Sequence, residues 1–193
     1  MRYYKRYADG GGVRVPLIVR WPGHLDTEQP TRQQFHHVID VLPTLLDVCG
    51  AAIPDTYRGL EQLPVHGTPM TYTFGDPTAP TTHSTQYFET AGYRAIVDGE
   101  WKAIARHQPG DDFAADRWEL YRFTADVAET ADLADDHPDV VARLQERWWS
   151  EARTYGVLPL DDRMQTRMAA QNPSGDSGSY VLYPGGRTLN LVA

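Results

Sequence analysis

The sequence has a single cysteine, Cys49, among its 193 residues, so no disulfide can form within the chain and a reducing compartment is permitted. No apolar run approaches the ~18 residues that a membrane-spanning helix needs, and no apolar stretch follows the first basic residues as a secretory leader requires. These absences lean toward a cytoplasmic setting and away from a membrane. Positive charge is short too: 18 Lys and Arg stand against 26 Asp and Glu, a net charge of −8. That balance gives no electrostatic footprint for nucleic acid and opposes binding to an anionic membrane.

The motifs of several common chemistries are missing. There is no G-x-S-x-G elbow, P-loop or dinucleotide fingerprint. The seven histidines form no H-x-x-x-H or H-E-x-x-H pair. His36 and His37 are adjacent, so regular structure sends them to different faces, which suits structural residues better than ligands. His66 and His107 lie in or near turns and carry no signal alone. The acidic stretch from Asp126 to Asp139 lacks the D-x-[DN]-x-[DN]-G spacing of a calcium loop. Asp126, Glu129, Asp132, Asp135 and Asp136 therefore read as turn and capping residues on a solvated surface.

What the chain does contain is a globular balance, 41% hydrophobic and 23% charged, enough for one domain with a core or for pieces of two. It opens with Lys5, a short spacer, the glycine run Gly10 to Gly12, and a β-branched, apolar segment from Val13 to Trp21 closed by Pro22-Gly23. The glycines permit positive φ or a close backbone approach, so they read as a tight, irregular entry into a strand, with Lys5 held near the bend. A polar loop, His24 to Gln34, follows. A helix is expected from Asp40 to Gly50, with Asp40 as N-cap, proline in the first turn and a terminal glycine. Ala51 to Ser84 is rich in Pro, Gly and Thr and reads as an extended surface connection.

The next block is strand-like: Thr85 to Glu89, Tyr93 to Val97, Trp101 to Arg106 and Trp118 to Phe123. Asp98-Gly99-Glu100 is a hairpin signal, and the four segments predict a small antiparallel sheet. Alternation along 93–97 is too imperfect to assign faces. Such a sheet needs a cover, and the helix opened by His137-Pro138-Asp139 supplies one. Its apolar stripe is Val141, Leu144, Trp148, Ala152 and Tyr155, and Gly156 ends it. Burial of each large apolar side chain contributes roughly 1.5–3 kcal/mol, so Trp148 and Leu144 are the truncations expected to hurt most. Trp149 falls beside the stripe, on its rim. Met164 to Ser179 reads as a linker, and Ser179 to Arg187 as a hairpin cut short.

Several ordered segments resemble the arylsulfatases of the type I sulfatase family, in the alkaline-phosphatase-like superfamily. The Lys5 segment is similar to the family's late active-site lysine segment. Gly59 to Gly67 matches a G-x-x-Q-x-P-x-x-G pattern, and Pro69-Met70-Thr71-Tyr72-Thr73-Phe74 resembles S-M-x-Y-x-F with proline in place of serine. The order Q-Y-F-E, G-x-R-A-I, D-G-x-W-K-A and W-E-L-Y is similar to the family's C-terminal subdomain. Asp126 to Ala134 resembles the D-P-x-E-x-x-D-L-A turn before the last helix, with Val127 replacing proline. The resemblance extends from Lys5 to about Arg163.

The resemblance implies an α/β fold class in four parts. Residues 1–55 would be a strand-and-helix remnant of the sulfatase mixed-sheet catalytic domain, and 56–84 an extended connection. Residues 85–163 would form an antiparallel sheet packed by a C-terminal helix, and 164–193 a linker with a truncated hairpin. Sulfate ester hydrolysis in the family uses a formylglycine made from a C/S-x-P/A-x-R motif and a divalent cation, usually calcium, held by Asp and Asn. Cys49-Gly50-Ala51-Ala52-Ile53 has isoleucine where that motif requires arginine, and no serine begins one. Nucleophile and calcium ligands are thus expected upstream of Met1, and none in this chain. Lys5 alone carries over as a catalytic residue, meeting the sulfate and the ester oxygen. The expectation is a C-terminal segment, inactive without the upstream portion and able to associate with it, and using a sulfate ester only in a complete enzyme. The alternatives are a non-catalytic structural or interaction module derived from a sulfatase, or a phosphonate or phosphodiester hydrolase relative. The first reading also predicts an exposed apolar edge around Val13 to Trp21.

Overall fold

The computed structural model describes residues 1–25, 28, 31–163, 179–181 and 188–190. Its centre is a four-stranded antiparallel meander of β3 (Thr85–Thr90), β4 (Tyr93–Asp98), β5 (Trp101–Ala105) and β6 (Trp118–Arg122), neighbours in space as in sequence. The strand bounds lie within a residue of those read from the sequence. The β3–β4 turn places Ala91 and Gly92 at positive φ, and the β4–β5 turn places Gly99 there, as tight hairpins demand. Register runs from Thr85 opposite Asp98 to Thr90 opposite Tyr93, and from Asp98 opposite Trp101 to Arg94 opposite Ala105.

The sheet is covered on both faces. Along β5, Trp101, Ala103 and Ala105 point one way and join Ile96, Trp118 and Leu120 under helix α3 (Pro138–Thr154). Leu144, Trp148 and Ala152 of α3 are wholly buried there, and Trp148 Nε1 donates to the Phe88 carbonyl at 3.1 Å. A buried indole N–H with a partner lets the largest side chain enter the core without an orphan donor. Trp149 packs at the edge of the cluster. Arg94 is also buried on this face, paired with Asp116 and ringed by Trp118, Trp148, Trp149 and Phe113 at 5.3–5.6 Å.

The other face holds Ala95, Ile104 and Tyr121, and its cover comes from the opposite end of the chain: Ala8 packs there, with Phe88 and Tyr93 beside it. Sequence patterning identified α3 as a cover but not this second one. Here the structure corrects the reading of the first segment. The glycines open a four-residue helical turn, α1 (Gly10–Val13), rather than a strand. The residues from Arg14 to Arg20 pair with no strand among the described residues. They have β-prone side chains but no neighbouring edge to supply ladder hydrogen bonds, and a lone strand is not stable in water.

Helix α2 (Val41–Cys49) follows a 3₁₀ turn at Val38–Asp40 and ends at Gly50 with φ 61°, the left-handed stop expected of glycine. Asp40 does not cap α2 with its side chain. Its carboxylate turns back to accept from His37 N–H at 2.8 Å, because the chain enters through the 3₁₀ turn and places those donors first. Two-residue strands β1 (Thr56–Tyr57) and β2 (Leu60–Glu61) form a small exposed hairpin. Of the linker read over Met164 to Ser179, residues 164–178 lie outside the described residues. For the C-terminal hairpin, β7 (Ser179–Val181) pairs antiparallel with β8 (Thr188–Asn190).

Candidate functional site

Lys5 sits in a reverse turn closed by Tyr7 N–H donating to the Tyr4 carbonyl at 3.2 Å. The turn is tight enough to hold Tyr3 and Arg6 at φ 57° and 82°, a region that non-glycine residues seldom occupy and that costs backbone free energy. It folds back over the glycine run. A Cβ on Gly11 would lie 2.1 Å from the Tyr3 carbonyl oxygen, and one on Gly12 would lie 2.0 Å from that of Tyr7. Both distances are impossible, so the glycines serve close approach. Gly11 N–H donates to the Arg2 carbonyl at 3.0 Å. Tyr7 stacks on Tyr3 and meets Tyr93 of β4 edge-on, with centroids 4.5 and 4.9 Å apart. The turn thus leans on the sheet while Lys5 itself stays exposed.

Beneath the turn runs a chain of buried and half-buried charges. Asp9, fully buried, accepts from Arg106 Nη2 at 2.5 Å, and the same guanidinium reaches Glu119 at 2.5 Å. Arg2 donates to the Tyr121 hydroxyl at 2.6 Å and to Glu119 at 3.2 Å. Burial alone would raise the Glu119 pKa, but hydrogen bonds from Arg106 and Tyr121 outweigh it and hold the carboxyl below its usual range. Burial also pushes the Tyr121 phenol up, and the adjacent Glu119 carboxylate adds to that. Glu129 is 3% exposed and accepts from Gly10 N–H with both oxygens, at 2.9 and 2.8 Å. Lys102 Nζ lies 2.6 Å from one of them. The reading of Glu129 as a solvated surface residue is therefore corrected. Its neighbours do cap the turn from the surface: Asp126 accepts from the amides of Thr130 and Ala131, and Asp132 from those of Leu120 and Ala134.

A second polar centre gathers at Asp40. This buried carboxylate accepts from the amides of His37 and Thr68, each at 2.8 Å, and both its oxygens lie 2.8 Å from His83 Nδ1. Burial opposes ionisation, yet these donors hold Asp40 below the usual carboxylate range. Gly67 makes the approach possible, since a Cβ there would lie 2.5 Å from the Ile39 carbonyl oxygen. His36 and His37 flank the group, and burial lowers the pKa of both. His107, which carried no signal in the sequence, is buried between Asp116 at 2.9 Å and Asp162 at 3.4 Å. Between the lysine turn and the Asp40 region lies an open cleft of about 600 Å³, lined among others by Tyr7, His37, His66, Thr68, Arg147 and Tyr155.

Among the described residues, no group of three or more His, Cys, Asp or Glu side chains converges as a metal site needs. Among the described residues no helix is long and apolar enough to cross a membrane. Apart from Lys5, sequence reading missed the residues that build this region. Asp9, Lys102, Arg106 and Glu129 are separated by up to about 120 positions, and although Lys102 and Glu129 each lay inside a motif, neither motif pointed to the other.

Comparison with known proteins puts this meander, its helix and the docked lysine turn in the sulfatase class. The chain belongs to the family described as N-sulphoglucosamine sulphohydrolase, C-terminal, whose model matches residues 2–154. It is 30% identical over 177 residues to an uncharacterized sulfatase of Schizosaccharomyces pombe, covering 90% of this chain and 31% of that protein. It is 29% identical over 150 residues to the N-acetylgalactosamine-6-O-sulfatase of Bacteroides thetaiotaomicron, covering 70% of this chain and 26% of that one. The chain thus spans less than a third of the relatives it matches. The crystal structure of Ps i-CgsB shares the fold, with TM-score 0.51 at 17% identity over 80% of this chain and 32% of that one.

Proposed function

We propose that this chain supplies the lysine and the C-terminal subdomain of a sulfate ester hydrolase, with Lys5 as its catalytic residue. The observation that carries the reading is the built turn: an exposed lysine on a strained loop, folded over glycines that admit no Cβ and tied to the sheet by buried charges. Nothing in the packing of the sheet's second face requires a lysine at that point. A lysine there, a compact point charge, suits a sulfate oxygen and the ester oxygen, stabilising negative charge as the S–O bond breaks. One such donor contributes about 10²–10³ in rate. That is far short of the ~8–23 kcal/mol that whole enzymes supply, and the chain holds no C/S-x-P/A-x-R nucleophile motif. Hydrolysis then needs nucleophile and calcium from a partner portion. The family description and the Bacteroides relative's name support sulfated amino sugars as the substrate class, with the open cleft beside the turn as room for the sugar.

The test is a chimera in which this chain replaces the matched segment of the Bacteroides N-acetylgalactosamine-6-O-sulfatase, assayed on 6-sulfated N-acetylgalactosamine. Hydrolysis by the chimera, reduced about 10²-fold or more by Lys5→Ala, with none by the chain alone, is the expected result. Turnover by the chain alone, or a chimera indifferent to Lys5→Ala, overturns the reading.

A further inference from the structure

We infer that Glu129 is a positioning residue of the lysine turn: its carboxylate is one of the holds through which the sheet subdomain acts on Lys5, and it fixes Gly10 and with it the base of the loop. The inference rests on the reading of Lys5 above and adds what holds it. Three observations converge. First, Glu129 stands at φ 55°, where glycine or asparagine would be at ease and a glutamate is strained. That strained residue is also the one whose side chain is buried against Gly10 and Lys102. Second, both carboxylate oxygens take the Gly10 N–H while one also takes Lys102 Nζ. A simple counter-ion for the buried lysine would use the ammonium alone and leave its second oxygen without a donor. Third, the turn that carries Glu129 is itself braced, with Glu129 N–H donating to the Asp126 carbonyl at 3.0 Å and the Asp126 carboxylate accepting from Thr130 and Ala131. The carboxylate is therefore aimed from a rigid loop.

On the other side of the contact, a Cβ on Gly10 would meet Glu129 Oε1 at 3.2 Å, so glycine lets the amide come within bonding distance. The Gly10 carbonyl in turn accepts from Arg14 N–H at 3.1 Å and closes α1. Gly11 N–H, next along, holds the Arg2 carbonyl. Fixing Gly10 thus fixes both ends of the segment that carries Lys5. Arg106 on Asp9 is the second hold, one residue away.

Two double variants separate positioning from charge balance. Glu129→Gln with Lys102→Met and Glu129→Ala with Lys102→Met both delete the ion pair and carry the same net charge, but only the first keeps an acceptor for Gly10 N–H. Amide hydrogen exchange of Gly10, measured by NMR on the full chain with Ile104 in the central strand as internal reference, is expected to stay slow in the glutamine pair. In the alanine pair it is expected to quicken by about tenfold or more, with Ile104 unchanged in both. In the chimera the alanine pair should lower kcat with KM little moved, and the glutamine pair should restore it. Equal Gly10 exchange in the two pairs, or Ile104 loosening as much as Gly10, overturns the inference. If the exchange contrast appears while Lys5→Ala leaves hydrolysis intact, the hold on the turn stands and the catalytic reading of Lys5 falls.

Discussion

The sheet subdomain and the stretch from Arg14 to Val65 are made of the same kinds of residue and end in opposite states. In β4 and β5 the apolar side chains Ile96, Val97 and Ile104 are buried, held between α3 and the lysine segment. In the other stretch Val15, Leu17, Ile18, Val19, Leu42, Leu45 and Leu63 are all exposed, Ile18 at 90%. A β-branched run does not bury itself. It needs an edge to pair with and a face to pack on, and between the two regions only the meander provides both among the described residues. The apolar exposure expected around Val13 to Trp21 is seen at Val15, Leu17, Ile18 and Val19, but on an unpaired segment and not on a strand edge.

The contrast can be broken most forcefully at Trp148. Trp148→Ala should cost about 3–5 kcal/mol of stability, read as a fall in the urea midpoint, because the side chain is fully buried and its N–H is bonded. Gly12→Ala should cost about 1–3 kcal/mol through forced displacement of the turn, seen as loss of Tyr7 to Tyr93 contacts in NOE spectra while the α3 contacts persist. An unperturbed Tyr7 ring would contradict the close packing over Gly12.

A smaller effect follows from pH. Burial holds His36 and His37 below the usual histidine range, whereas in the unfolded chain they titrate near ~6.5. Between those values the unfolded state carries more protons, so stability falls as pH drops below neutrality. Asp40 adds a lower window. Its folded pKa is depressed, so its contribution is full above the unfolded value of about 3.9 and is lost as pH falls through the folded one. Melting temperatures from pH 7.5 to 5 should decline, and His36→Gln with His37→Gln should flatten that slope. An equal slope in the double variant would reject the assignment. At the small end, Ile18→Ser should change stability by no more than about 0.5 kcal/mol while reducing self-association in light scattering. A large loss of stability would mean that this residue is packed.

The parts legible in the sequence were those governed by near neighbours. The meander could be read because Asp98-Gly99-Glu100 fixes a hairpin and Trp118 to Phe123 alternates. Helix α3 could be read because its stripe repeats at helical spacing between Pro138 and Gly156. The lysine motif could be read as a motif, but its conformation could not: the glycines at 10–12 make a helical turn only because Arg2 to Tyr7 lie across them. Residues 13–21 carry strand propensity, yet pairing depends on a neighbour that local sequence does not name. Glu129 looked like one more surface acid because its burial depends on Lys102 and Gly10, which lie 27 and 119 positions away.

That last separation sets an order of events. Gly10 and Glu129 are 119 residues apart, so at synthesis rates of 5–20 residues per second the anchor for the lysine turn is made about 6–24 s after the turn itself. For that interval Lys5 lacks the carboxylate under its turn, and until Tyr93 to Arg106 are made it lacks the sheet face as well. The strained conformation is then completed only once Glu129 is made, and a chain that stops short of Glu129 can pair Arg106 with Asp9 but lacks the carboxylate that fixes Gly10.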